Sequence, residues 1–174
     1  MKILVFSDSH GNPAYMQKAV DMHPDANMII HTGDGLKDLE LLKNTPKNVF
    51  SINGNFEDTF FFGQKDTDRK VIEVCGKRIL ICHGHRQNVS HSFQKLIYSA
   101  LEDNADVAVF GHTHVKFNSY IPKEQFAFPS DKDGIYLFNP GSISRPRDCT
   151  TPSFGLIEIE NNGILLSHGI INKC

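Results

Sequence analysis

Apolar residues fall along this chain in short runs, and the rhythm of those runs changes partway through. Residues 2–7 hold the continuous apolar run Ile3-Leu4-Val5-Phe6, as expected of a strand buried on both faces. Asn12-Pro13 offers a helix start with proline at the first helical position, predicting a helix to Met22. Residues 28–31 read as a second strand. Leu36, Leu39, Leu41 and Leu42 mark a second helix closed by Asn44-Thr45-Pro46, and residues 48–53 read as a third strand. Strand alternating with helix predicts a parallel sheet with helical crossovers.

Beyond residue 70 the pattern turns antiparallel. Residues 71–75 and 78–82 flank Gly76-Lys77, a tight hairpin. Ser90 is placed to cap a helix running to Asp103, with Phe93, Leu96, Ile97 and Leu101 on one face. Residues 107–110 are another buried strand. Residues 116–121, 135–139, 154–160 and 164–171 read as antiparallel strands, the last two joined at Asn161-Asn162-Gly163. Burying both kinds of strand requires two sheets face to face with helices outside, an α/β sandwich formed by one domain over residues 1–174.

Composition narrows the function. At 174 residues, 40% hydrophobic and 22% charged, the chain suits a globular domain with a real core. Net charge is -2 with no run of like charges, so no long nucleic acid or membrane surface is expected as a partner. The first apolar run is too short for a signal peptide and no stretch approaches a membrane span, which predicts a cytoplasmic protein. Cys75, Cys82, Cys149 and Cys174 show no CxxC spacing; Cys75 and Cys82 lie in apolar runs and are expected as buried free thiols.

The candidate chemistry sits where the apolar runs end. Asp8-Ser9-His10, Gly33-Asp34, Gly54-Asn55, His83-Gly84-His85 and Gly111-His112-Thr113-His114 each follow a predicted strand. They supply carboxylates, imidazoles and a carboxamide, donors suited to borderline divalent metals. Side chains two apart on extended backbone share a face, so Asp8 with His10, and His112 with His114, can serve one ion or two neighbours. Asp34 offers a carboxylate, the donor here that readily bridges two cations.

In order, these runs resemble the calcineurin-like metallophosphoesterase superfamily: D-x-H, G-D, G-N-x-D/E, G-H and G-H-x-H. The small size and Asn139-Pro140-Gly141-Ser142 are similar to its compact YfcE-like phosphodiesterases. The resemblance implies a four-layer αββα sandwich with two mixed β-sheets. It implies two divalent metal ions per chain, Mn2+ first, with Ni, Co, Fe or Zn as alternatives. By position, Asp8, His10, Asp34 and His114 resemble the first site; Asp34, Asn55, His83 and His112 resemble the second. The implied reaction is hydrolysis of a small phosphodiester by in-line attack of a hydroxide bridging both ions. Asp34, Asn55 and His83 stand as the catalytic set. Two divalent ions, less two carboxylates and one hydroxide, leave one positive charge to attract the diester.

One position departs from many superfamily members. Phe56 follows the ligand Asn where a leaving-group histidine often stands, so activated aryl diesters should react much better than alkyl ones. His85 is the candidate for a partial substitute. Arg145 and Arg147, with the backbone amides of residues 139–147, are candidates to hold a phosphate oxygen. His31 is expected to support the site through a hydrogen bond or to be plainly buried. Phe60-Phe61-Phe62 would wall the cleft, anchor the core, or form a self-association patch, and the resemblance implies that homo-oligomers occur. The same scaffold admits a phosphomonoesterase, a dinucleotide polyphosphate hydrolase, or a non-catalytic scaffold such as the retromer subunit of this fold; here every ligand position holds a competent donor.

Overall fold

The computed structural model describes residues 1–60, 69–161 and 163–172. Its strands are β1 (Lys2–Phe6), β2 (Met28–His31), β3 (Asn48–Ser51), β4 (Arg69–Val74), β5 (Lys77–Cys82), β6 (Val107–Val109), β7 (Lys116–Pro122), β8 (Gly134–Pro140), β9 (Ser153–Glu160) and β10 (Gly163–Ile170). Its α-helices are α1 (Pro13–Met22), α2 (Leu36–Leu39), α3 (Asn55–Phe60) and α4 (Gln94–Glu102). The strands form two five-stranded mixed sheets, ordered β10-β9-β1-β2-β3 and β4-β5-β6-β8-β7. Within the first, β1, β2 and β3 are parallel and β9 and β10 antiparallel.

Side-chain alternation builds the layers. On β1, Ile3 and Val5 face the second sheet and pack with Ile79, Ile81, Val107 and Val109. Leu4 and Phe6 point the other way, onto Met16, Ala19 and Val20 of α1. In the second sheet Leu80, Cys82 and Ala108 turn outward onto Leu96 and Ala100 of α4. Three apolar layers therefore separate helix, sheet, sheet and helix, which is the expected αββα sandwich. The unbroken apolar run of β1 follows from burial on both faces. Truncating a residue such as Ile81 to Ala would cost about 2–5 kcal/mol through the cavity it leaves.

Several local expectations are corrected. β8 pairs parallel with β6 and antiparallel only with β7. α2 closes at Leu39, beyond which Leu41 and Leu42 continue only as single turns, their amides bonded to Asp38 and Leu39 carbonyls. α4 starts at Gln94, and the hydroxyl that accepts its amide belongs to Ser92, not Ser90. α3 was not expected. The first hairpin turns on Cys75-Gly76, with φ of 49° and 74°, because a two-residue turn of matching twist needs two left-handed residues. Cys75 is consequently exposed, whereas Cys82 is buried as expected. Among the described residues no helix is long and apolar enough to cross a membrane.

Candidate metal centre

Asp8, Asp34, Asn55, His83 and His112 each follow the carboxyl end of a parallel strand: β1, β2, β3, β5 and β6 respectively. Loops diverge at that rim, leaving room for a site. Here they are stitched together by backbone hydrogen bonds: Asp8 N–H to Gly33 O at 3.0 Å, His10 N–H to Asp34 O at 3.1 Å, and Gly111 N–H to His83 O at 2.9 Å. Gly33 and Gly54 are required where two loops touch. A Cβ on Gly33 would sit 2.5 Å from Gly54 N, and one on Gly54 would sit 2.0 Å from Asp34 Oδ1.

The predicted donors converge. His114 Nε2 lies 3.2 Å from Asp8 Oδ1 and 3.3 Å from His10 Nε2. Asp34 Oδ2 stands between the two groups, 3.9 Å from His10 Nε2 and 3.6 Å from His83 Nε2. Asn55 Oδ1 is 3.1 Å from His83 Nε2 and 3.0 Å from His112 Nδ1. Asp8, His10 and His114 have ligand atoms within 4.8 Å of one another, as do Asp8, Asp34 and His83.

Hydrogen bonds set which imidazole nitrogens face inward. His83 Nδ1 donates to Thr32 O and His114 Nδ1 donates to Arg145 O, each at 2.7 Å. A carbonyl only accepts, so in the neutral rings both Nε2 lone pairs point at the cluster. With His83 neutral, its Nε2 and Asn55 Oδ1 are two acceptors side by side at 3.1 Å, an arrangement suited to a cation. Asp8 Oδ1 is buried beside His114 Nε2 at 3.2 Å and His10 Nε2 at 4.0 Å. This donor set fits divalent metal ions.

Electrostatics follow from burial and the neighbours. Burial pushes the Asp8 carboxyl up, but the His114 hydrogen bond and the His83 and His114 charges hold it at about 2. Burial raises Asp34. Burial lowers His10, and burial with His83 beside it lowers His112 to about 4. Burial lowers His114, but its bond to Asp8, the Asp8 charge and its bond to Arg145 O together outweigh that and raise it.

The segment 139–147 is bolted to this centre. Ser142 Oγ and Ser144 Oγ both donate to Asp8 O, and Arg147 N–H donates to His114 O. Its amides do not await a phosphate as expected: Gly141 N–H goes to Asn139 Oδ1, Ile143 N–H to Ser7 O, and Ser144 and Arg145 N–H to Ser142 Oγ. Arg145 lines a cleft with His10 and Phe56. The charge of Arg147 instead acts on His112 and His114. The His85 ring lies 5.3 Å from that of His83 and 6.1 Å from that of His112. His31 is fully buried; its Nδ1 accepts Gly33 N–H at 3.1 Å and its Nε2 reaches Ser9 Oγ at 3.4 Å. Phe61 and Phe62, and the side chain of Phe60, lie outside the described residues.

Glu57 is the residue to which sequence reasoning gave no role. Its buried carboxylate accepts four amides: Asp34 and Gly54 at 2.8 Å on Oε2, Gly35 at 2.6 Å and Leu36 at 3.1 Å on Oε1. It joins the loop carrying Asp34 to the loop carrying Asn55. The only signal for it was its place in G-N-x-D/E.

The chain is similar to known metallophosphoesterases in sequence and in fold. The probable metallophosphoesterase YsnB of Bacillus subtilis is 28% identical over 163 residues, covering 93% of this chain and 86% of that protein. The phosphodiesterase YfcE of Escherichia coli is 24% identical over 181 residues, covering 91% of this chain and 88% of that protein. A crystal structure of a predicted phosphoesterase from Streptococcus pneumoniae superposes with a TM-score of 0.72 at 28% identity, covering 97% of this chain and 88% of that one. The model of the calcineurin-like phosphoesterase superfamily domain matches residues 1–162, and the chain belongs to that superfamily.

Proposed function

We propose that this protein is a metal-dependent phosphodiesterase acting on a small phosphodiester. Asp8, His10, Asp34 and His114 would hold one divalent cation, and Asp34, Asn55, His83 and His112 a second, with manganese the first candidate. Bound there, two such ions supply Lewis acidity and hydroxide near neutral pH for in-line attack at phosphorus. The protein's part is orientation. Thr32 O and Arg145 O fix the inward nitrogens of His83 and His114. Glu57 fixes the spacing of the loops that present Asp34 and Asn55. Arg145 and Arg147 add positive charge on either side of the cluster, suited to a diester anion. Phe56 cannot protonate a leaving group, so good leaving groups should be preferred.

The observation that carries this reading is the convergence of imidazole, carboxylate and carboxamide donors about Asp34, with His83 Nε2 facing Asn55 Oδ1. Its test is hydrolysis of bis(p-nitrophenyl) phosphate by the chelated protein after adding back manganese, nickel, cobalt, zinc or iron. Turnover should return with metal and be absent in Asp34→Asn. Failure with every metal, or full activity in Asp34→Asn, would overturn the proposal.

A further inference from the structure

A cleft of about 580 Å3 borders the cluster at His10. That volume lies within the range of about 300–1,000 Å3 usual for small-molecule sites. Its wall carries Phe56, whose side chain stands 46% exposed although a phenyl ring is normally drawn into a core. The ring is not loosely placed. Phe56 N–H donates to Asp34 Oδ1 at 2.8 Å, and its ring meets that of His10 edge-on, centroids 6.3 Å apart at 89°. Phe56 is thus fixed with respect to both an Asp and a His of the centre.

The rest of the wall favours an anion bearing a ring. Lys37 and Arg145 line the cleft, as do Asp38 and Glu57. The two carboxylates, however, are turned into the protein: Asp38 Oδ2 accepts Ser9 Oγ at 2.6 Å and Gly11 N–H at 2.9 Å, and Glu57 accepts its four amides. Beside them the cleft is bordered by the exposed ring of Phe56 and the exposed cationic side chain of Arg145. The ring face is sequence-tolerant for any planar base, because every base has a π-surface.

We propose that this cleft is the subsite for a nucleobase, making the substrate a nucleotide ester whose base stacks on Phe56 while its phosphate lies at the centre. The inference rests on the phosphodiesterase reading and narrows its substrate class. It is separable from the absent leaving-group acid, because the base belongs to the half of the ester that is retained.

The test holds the leaving group constant. Thymidine 5′-(p-nitrophenyl phosphate) is compared with its abasic analogue, the 1,2-dideoxyribose 5′-(p-nitrophenyl phosphate), on the manganese-loaded protein. The base should raise kcat/KM by about tenfold or more, chiefly through KM, as expected for one base stacked on one ring. The ratio should collapse toward one in Phe56→Ala and persist in Phe56→Tyr; taking the ratio within each variant cancels losses in folding or metal loading. Calorimetric titration with thymidine 5′-monophosphate and 2-deoxyribose 5-phosphate repeats the comparison without turnover. Equal values for the two esters, or a preference unchanged in Phe56→Ala, overturn the subsite while leaving the hydrolase intact. Hydrolysis of neither ester, with no preference in calorimetry, overturns both.

Discussion

Two groups of residues in this molecule adopt left-handed backbone without being glycine, and they are held there by different forces. Asn104, with φ 52°, closes α4: Ala105 N–H returns to Ala100 O at 2.8 Å and Asn104 N–H to Leu101 O at 3.1 Å. The turn satisfies its own backbone, and Asn is placed where glycine is usual. Asp8, His10, Asp34, His112 and His114 have φ between 45° and 68°, and local turns close over only two of them, by Asn12 N–H to Ser9 O at 3.0 Å around His10 and Thr113 N–H to Gly111 O at 2.8 Å around His112. Distant partners hold them, among them Gly33 O for Asp8, Asp34 O for His10 and the Glu57 carboxylate for Asp34. Asn104 ends a helix; the other five bring donor atoms together from separate loops. Left-handed residues held by distant partners are the kind that cluster at functional sites.

The largest test of that contrast is Asp34→Asn. It keeps an acceptor for Phe56 N–H but removes a buried charge that burial already disfavours. Metal-dependent turnover should fall by at least about a thousandfold. The metal-free protein should melt no lower than wild type, since lost function and gained stability go together at such sites. A lower melting temperature in chelator would show that Asp34 serves the fold as well as the site.

Glu57→Gln asks whether distant partners hold the rim. A carboxamide cannot accept four amides, and its NH2 would face donors. Manganese affinity should drop about 10- to 100-fold in calorimetry, as for other residues that orient ligands. Unchanged affinity with lowered stability would leave Glu57 a purely structural staple.

Acid should loosen the same region. Burial lowers His31 from 6.5 to about 4, so it is neutral when folded. Its folded pKa lies below the unfolded one, so the unfolded chain takes the proton first. This stabilisation is complete above pH 6.5 and is lost as pH falls toward 4, by about 3 kcal/mol. Urea unfolding of the metal-free protein across that window should show the loss, and His31→Gln should flatten it. A wild-type profile no steeper than that of His31→Gln would contradict a buried neutral His31.

The smallest effect is expected at the self-closed turn. Asn104→Gly relieves left-handed strain where hydrogen bonds are already satisfied, and should raise stability by about 0.5 kcal/mol without touching turnover. A change in kcat would mean that the two groups are coupled.

Much of this architecture is legible in the sequence. The run ahead of Asp8 reads as a doubly buried strand because Ile3, Leu4, Val5 and Phe6 are all fully buried, alternately toward the second sheet and α1. The donors were legible because their chemistry is particular and each follows such a run. α3 was not, because Asn55-Phe56-Glu57 carries no apolar period; tertiary bonds to Asp34 Oδ1 and the loop amides begin that helix. The direction of β8 depends on its neighbour β6, which local pattern cannot express. Cys75 read as buried from its apolar neighbours, but turn geometry overrode them. Nor could sequence foresee that the amides of residues 141–145 would be engaged internally, since each partner is set by the folded loop.

The most direct measurement is anomalous diffraction at the manganese edge from crystals grown with that ion. The account predicts two peaks per chain, one among Asp8, His10 and His114 and the other among Asn55, His83 and His112, with Asp34 between them. A single peak, peaks elsewhere, or none at all in the loaded protein would contradict it.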